Sequence, residues 1–451
     1  MGDSLSGGGF KLYRSARYLA AMFAASTLSC GLAFADGAVY AMTNAIGANQ
    51  ILVYHRFADG HLSSSPVQTI STGGGGSGLQ LAGIDALGSA GSLQLDSKHR
   101  FLFAVNTESA SENDGSAGYN SDCRQGTITS FLVAPDGRLT FADRVSSGGL
   151  YPNSITVRDK NRGNDDQQEL YVLNAGGPGT CGISPNVTGF AVNPQGRFRE
   201  VRSVQNIEPG PTSGTGVNCP PIGFNPPADF QCGLNPPSFP RSPAQVRFTP
   251  DDDHLVVTVK GTSSIYVFPV GKNGNLGDPA IAQASGPGLP SFFGFTFDQA
   301  GHILVTELFG TATTIPAGNA GAVSSFRIEP NGALSLISGH VSDGGTAACW
   351  IVLDPLTQRY AYVANNLSNS ISVYAVEGNG QLTLLAGMAA AASGPNDLAA
   401  VRERGASFLY ALDAGDGTVS AFRIENNGSL TVLAGASGLP VNRGAQGIAA
   451  Y

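Results

Sequence analysis

RYAYVANNLSNSISVYAVEGNGQL, residues 359–382, sets out the pattern that decides the fold. An apolar run ends at Asn365, a short polar loop follows, and a second run leads into an Asn-Gly pair. Alternating β-branched and aromatic residues bounded by such turns read as two strands joined in a hairpin. The phrase returns as FLYALDAGDGTVSAFRIENNGSL at 408–430 and, with a longer loop, as ELYVLNAGG (169–177) followed by NVTGFAVNPQGRF (186–198).

Seven copies can be aligned. Their first runs end at Asn44, Asn106, Asn174, Lys260, Glu307, Asn365 and Asp413. The shortest spacing is 47 residues (Lys260 to Glu307) and the longest 86 (Asn174 to Lys260). Each copy adds a third run and a Gly/Pro-rich loop, then a fourth run such as NSITV, PAQVRF, FFGFTFD or ACWIVLD. Four short strands in each of seven units predict an all-β fold, a seven-bladed β-propeller with four antiparallel strands per blade. The segment AVYAMTN begins at a second strand, and AQGIAAY at the C-terminus is an extra first strand. The C-terminal strand is therefore expected to join the N-terminal blade and close the ring, removing the open edges.

Composition agrees. The 451 residues carry 61 glycines and 26 prolines but only 13% charged residues, which suits many short strands. Net charge is −8 and no basic stripe with interleaved aromatics occurs, which argues against nucleic acid as a partner. Residues 1–35 read as a signal peptide, with Lys11, Arg14 and Arg17 before the apolar YLAAMFAASTLSCGL and an Ala33-Phe34-Ala35 cleavage site. Residues 36–451 are then a single propeller domain, exported to the periplasm or secreted, soluble after cleavage and expected to be a monomer. Two disulfides among Cys123, Cys181, Cys219 and Cys232 are plausible there, with Cys349 a buried free thiol.

In a propeller the first strand of each blade lines the central channel. The ends of second strands and the starts of first strands should thus share one mouth, placing the seven closing residues beside Asn153, Gln245, Phe293, Trp350, Asn396, Asp397 and Gln446. Asn and Asp at such positions also serve simply as strand caps, bonding local backbone. Lys260 and Glu307 break the Asn/Asp pattern in consecutive copies and suggest a Lys–Glu pair. Glu307 would be the general base and Lys260 the electrophile for a developing oxyanion, the alternative being a solvated ion pair on the rim. GGGGSG (73–78) has no helix or acidic partner for dinucleotide binding and reads as a flexible loop. The six histidines read mostly as solvated turn residues, and no metal site or cofactor is expected.

The phrases YPNSITV, LYVLNAGG, PAQVRFTPDDDHLVVTVKGTSSIYVFPV, GAVSSFRIEPNGALSLISG and GTVSAFRIENNGSLTVL resemble the seven-bladed lactonase family. That family includes the propeller-type 6-phosphogluconolactonases and the 3-carboxy-cis,cis-muconate cyclases. The resemblance implies metal-free chemistry on a small lactone or carboxylate: water opening the ring, or a carboxylate closing one. Asn106, Asn174, Gln245, Asn365, Asn396 and Asp397 would hold that substrate. The family's His and Arg at inner-strand starts are replaced here by Asn153, Ala244 and Gln245. A non-catalytic propeller serving as a binding or protein-interaction module is the other reading.

Overall fold

The computed structural model describes residues 36–78, 85, 87–108, 123–159, 167–176, 184–207, 243–260, 263–283, 291–307 and 321–451. The expected signal peptide, the cysteines Cys181, Cys219 and Cys232, and most of the Pro-rich insertion at 208–243 lie outside them. Twenty-eight strands, β1 to β28 in chain order, form seven four-stranded antiparallel sheets. The inner strands are Leu93–Leu95 (β4), Pro152–Asp159 (β8), Pro243–Phe248 (β12), Phe292–Phe297 (β16), Ala348–Leu353 (β20), Pro395–Glu403 (β24) and Ile448–Ala450 (β28). Each touches the next around the axis. Blades are numbered from the N-terminal sheet, whose inner strand is β28.

Closure is as the sequence predicts. β1 (Ala38–Met42) pairs antiparallel with β28, with Tyr40 opposite Ala449. Arg56, fully buried at this seam, donates to the Tyr451 carbonyl at 2.7 Å and the Asp36 carbonyl at 2.6 Å, and meets Glu403 at 3.1 Å. Buried Arg is tolerated because its fork is satisfied on several sides.

The repeated turn glycine has a second task beyond the turn. Gly60, Gly137, Gly196, Gly274, Gly332, Gly380 and Gly428 all adopt φ between 76° and 89°, the left-handed region that favours glycine. Six of them also receive a side-chain hydroxyl from the preceding blade. Tyr40 donates to the Gly137 carbonyl (2.8 Å), Ser130 to Gly196 (2.6 Å) and Ser325 to Gly380 (2.7 Å). Tyr362 donates to Gly428 (2.9 Å), Tyr410 to Gly60 (2.8 Å) and Tyr171 to Gly274. At the seventh interface Gly332 packs on Ala280 and Val267 instead. A hydroxyl–carbonyl bond at a dry interface is worth about 1 kcal/mol, so these latches add to the apolar packing between blades.

GGGGSG is not the flexible loop expected. Gly74 lies against Asn106 and Glu108 and Gly76 against Asn44, so closely that a Cβ on either would fall within 2.7 Å of them. The glycines are there for close approach of backbone to neighbouring side chains.

Candidate functional site

The closing residues follow one rule. In five blades the closing residue pairs across to strand three, and its side chain bonds a hydroxyl two positions further, on the same face of that strand. Asn106 reaches Thr129 (3.1 Å), Asn174 reaches Thr188 (3.4 Å) and Asn365 reaches Ser372 (2.5 Å). Asp413 and Glu307 accept from Ser420 and Ser324, each at 2.5 Å. The Oδ1 of Asn106 is taken by blade 1, accepting from Asn49 and Thr72. All five side chains are buried. These bonds pin strand two to strand three inside the blade.

Lys260 departs from the rule and turns inward. Its ammonium donates to the Gly88 carbonyl and lies 5.1 Å from the Phe293 ring centre. Glu307 turns outward. Its second oxygen pairs with His340 Nδ1 at 2.6 Å, on the outer strand Leu334–Ser342 (β19). The two charged exceptions therefore have separate partners, and the carboxylate acting on Lys260 is that of Asp85. His340 is bound to a buried carboxylate rather than being a simple turn residue, and the Glu307 carboxylate raises its pKa.

Residues 87–90 cross the axis. The Leu87 amide donates to Gln446 Oε1 in blade 1 at 3.0 Å, and the Ser89 hydroxyl donates to the Asn153 carbonyl in blade 3 at 2.6 Å. The Ala90 amide donates to the Ala244 carbonyl in blade 4 at 3.1 Å. The Ser89 carbonyl accepts from Trp350 Nε1 in blade 6 at 3.0 Å and from Gln446 Nε2 at 2.5 Å. Four blades thus hold a segment that enters the ring from blade 2. Small residues permit it: GSAGS leaves the backbone free to meet side chains from every direction.

Beneath this segment lies a buried titratable set: Asp85, Lys260, Cys349 and Asp397. Burial pushes Asp85 upward and Lys260 downward, each opposed by attraction to the other. Burial also lifts Asp397 to about 8, against bonds from the Leu398 amide at 2.9 Å and the Ile448 amide at 3.3 Å. The Cys349 thiol, free as the sequence suggests, is raised by the same burial. Among the described residues, one oxygen of Asp85 and the Oδ1 of Asn153 are buried without a hydrogen-bond partner.

Among the other expected substrate residues, Gln245 accepts from the Phe295 amide at 2.6 Å. Asn396 accepts from Asn366 at 2.5 Å and donates to the Ala445 carbonyl at 3.3 Å. Gln245, Asn396 and Asp397 belong to the axial neighbourhood, whereas Asn106, Asn174 and Asn365 sit within blades. The sequence reading passed over Asp85 and His340. Asp85 had a signal, being the sole charged residue in the Gly/Ala-rich stretch between Ser71 and Asp96. His340 had none, because strand four carries no closing motif. Among the described residues no group of three or more His, Cys, Asp or Glu is placed to hold a metal ion, and no helix is long and apolar enough to cross a membrane.

A family profile described as Lactonase, 7-bladed beta-propeller matches residues 311–400. A periplasmic gluconolactonase from Pseudomonas aeruginosa shares the fold with a TM-score of 0.63 at 16% identity, covering 92% of this chain and 98% of that one. A provisionally assigned 6-phosphogluconolactonase from Bacteroides fragilis gives a TM-score of 0.61 at 16% identity, with 92% and 98% covered. No curated protein sequence matches the chain. The chain is a seven-bladed β-propeller whose resemblance to the lactonase family is carried in sequence by residues 311–400 and in fold by the whole ring.

Proposed function

We propose that this protein is an exported hydrolase that opens a small lactone at the axial cluster of Asp85, Lys260 and Asp397, the reverse closure being the cyclase form of the same chemistry. The observation that carries this reading is Asp85: a buried carboxylate coupled electrostatically to Lys260, with one oxygen unpartnered among the described residues. Perturbed titratable groups gathered at one buried place are a mark of function. Export is supported by the signal-like residues 1–35 and by the fold shared with a periplasmic gluconolactonase.

Two carboxyls in different surroundings can divide acid and base work. Asp85, whose ionised form the Lys260 ammonium favours against the upward push of burial, would be the base; Asp397, lifted to about 8, would be the protonated acid at neutral pH. Asp85 would take a proton from water as the hydroxide adds to the lactone carbonyl carbon. Lys260 would bond the resulting oxyanion. Collapse breaks the ring C–O bond, and Asp397 gives its proton to the departing alkoxide, leaving a hydroxy acid. Gln245, Asn153 and Asn396 would orient the ring. Glu307, paired with His340 at the blade's outer side, would not be the axial base in this scheme. Entry of substrate requires the segment at 87–90 to move aside.

The test is hydrolysis of a lactone panel by wild type, Lys260→Met, Asp85→Asn and Glu307→Gln. Loss of rate in the first two variants with Glu307→Gln retained supports the axial site; the reverse pattern moves the chemistry to Glu307. The four-blade anchoring of the axial segment favours a second reading, a closed binding module. Absence of lactone hydrolysis together with a stoichiometric partner on co-purification would establish that reading.

A further inference from the structure

Partway along the inner strand β12, one residue breaks the burial of its neighbours. Val246 and Phe248 are buried between blades, whereas Arg247 is exposed. On a strand flanked by β8 and β16, an exposed side chain faces the axial channel. Burial nonetheless lowers the Arg247 pKa. Solvent contact and desolvation coexist where a side chain lines a wetted enclosure, and a guanidinium remains charged there.

Other inner strands offer this channel little charge of opposite sign. Gln94, Val352 and Ala400 are half-buried on β4, β20 and β24. The Arg247 guanidinium makes one bond, to Thr296 Oγ1 at 3.2 Å, and pairs with no carboxylate among the described residues. Nearby inner-strand carboxylates are taken: Asp159 by Ser97 and Gln168, and Glu403 by Arg56. Arg402 lies two residues beyond Ala400 on β24, three blades around the ring from β12. It is exposed and likewise has no carboxylate partner among the described residues. A protein of net charge −8 thus leaves the Arg247 guanidinium on this inner strand without a carboxylate partner among the described residues.

We propose that this part of the channel is an anion site anchored by Arg247, taking the carboxylate of a small organic acid. The planar fork of Arg matches a carboxylate with two parallel N–H bonds, and Thr296 supplies a neutral polar group beside it. A carboxylate fits better than a phosphate, which would call for more than one cation at the anchor. The inference rests on the channel wall and not on the axial reaction.

The experiment is isothermal titration calorimetry of the full protein with gluconate, with sorbitol as the same carbon chain lacking the carboxylate, and with inorganic phosphate. Gluconate should bind at one site and sorbitol should not. Arg247→Gln should weaken gluconate binding by about tenfold or more, the loss of a charge-assisted bond. Arg247→Lys should fall in between. Equal gluconate affinity in Arg247→Gln, equal binding of sorbitol, or tighter binding of phosphate would overturn the proposal. If Arg247→Gln does not fold, Arg247→Lys decides: wild-type affinity there removes the bidentate anchor. No lactone is used, so failure of the hydrolase reading would leave this outcome unaffected.

Discussion

His340 holds its Nδ1 2.6 Å from Oε2 of Glu307, a carboxylate with no solvent exposure that also accepts the Ser324 hydroxyl. The imidazole itself is more than half exposed, and its backbone sits at φ 51°. A non-glycine residue in that region carries local strain, which the carboxylate contact and the amide bond from His340 to Ser324 Oγ at 2.9 Å offset.

Glu307→Gln should therefore lower the His340 pKa, read by NMR titration of the ring. The sign is fixed by linkage. A histidine whose folded pKa is raised contributes stability below its unfolded value, and that contribution is lost as pH rises through the folded value. Wild type should lose a little stability from mildly acidic to mildly alkaline pH that Glu307→Gln does not lose. Identical pH profiles would show that the pair has no such effect.

Lys260 and Asp85 should behave as a coupled pair in a double-mutant cycle followed by chemical denaturation. Removing one partner leaves a buried group without its compensating charge, which costs about 3–5 kcal/mol. Lys260→Met with Asp85→Asn should recover most of that loss. Additive losses in the double variant would mean the two side chains act independently.

Asp397→Asn tests the buried carboxyl by pH. A carboxyl raised to about 8 favours the folded state while protonated, so its contribution is full below about pH 4 and lost as pH climbs toward 8. The upper bound from that shift is about 6 kcal/mol, and water entry at the axis would reduce it. Asp397→Asn should flatten the fall in stability between pH 4 and 8 in thermal melts. An unchanged slope would place the titration elsewhere.

The interblade latches give a fourth prediction. Tyr410→Phe removes the 2.8 Å bond to the Gly60 carbonyl and should cost about 1 kcal/mol. Gly60→Ala should cost more, about 1–3 kcal/mol, because φ is 89° and the new Cβ would lie 2.1 Å from a Phe408 ring carbon. Equal denaturation midpoints for wild type and Gly60→Ala would refute the double role of the turn glycine.

The sequence by itself determined the ring. Strand period, turn chemistry and the recurrence of one phrase are local properties, and seven correlated copies leave one architecture that buries every face. The offset of AVYAMTN and AQGIAAY likewise specified closure, because an unpaired inner position and a surplus strand can satisfy only each other. The turn glycine was legible as a turn, but its latch was not, since Tyr410 and Gly60 lie 350 residues apart.

Tertiary structure alone decided where the polar side chains point. Asn106, Asn174, Lys260, Glu307 and Asn365 occupy one repeat position, yet three are bound inside blades, one turns out to His340 and one turns in to Gly88. Repeat position specifies where a Cα sits, while side-chain direction depends on which partner the outer strands of the blade or the axial segment supply. Asp85 reaches the axis only because a glycine-rich stretch between repeats can cross it, and Arg247 faces the channel only because its strand is innermost. Neither relationship is present in any local pattern of residues; each is created when the ring closes.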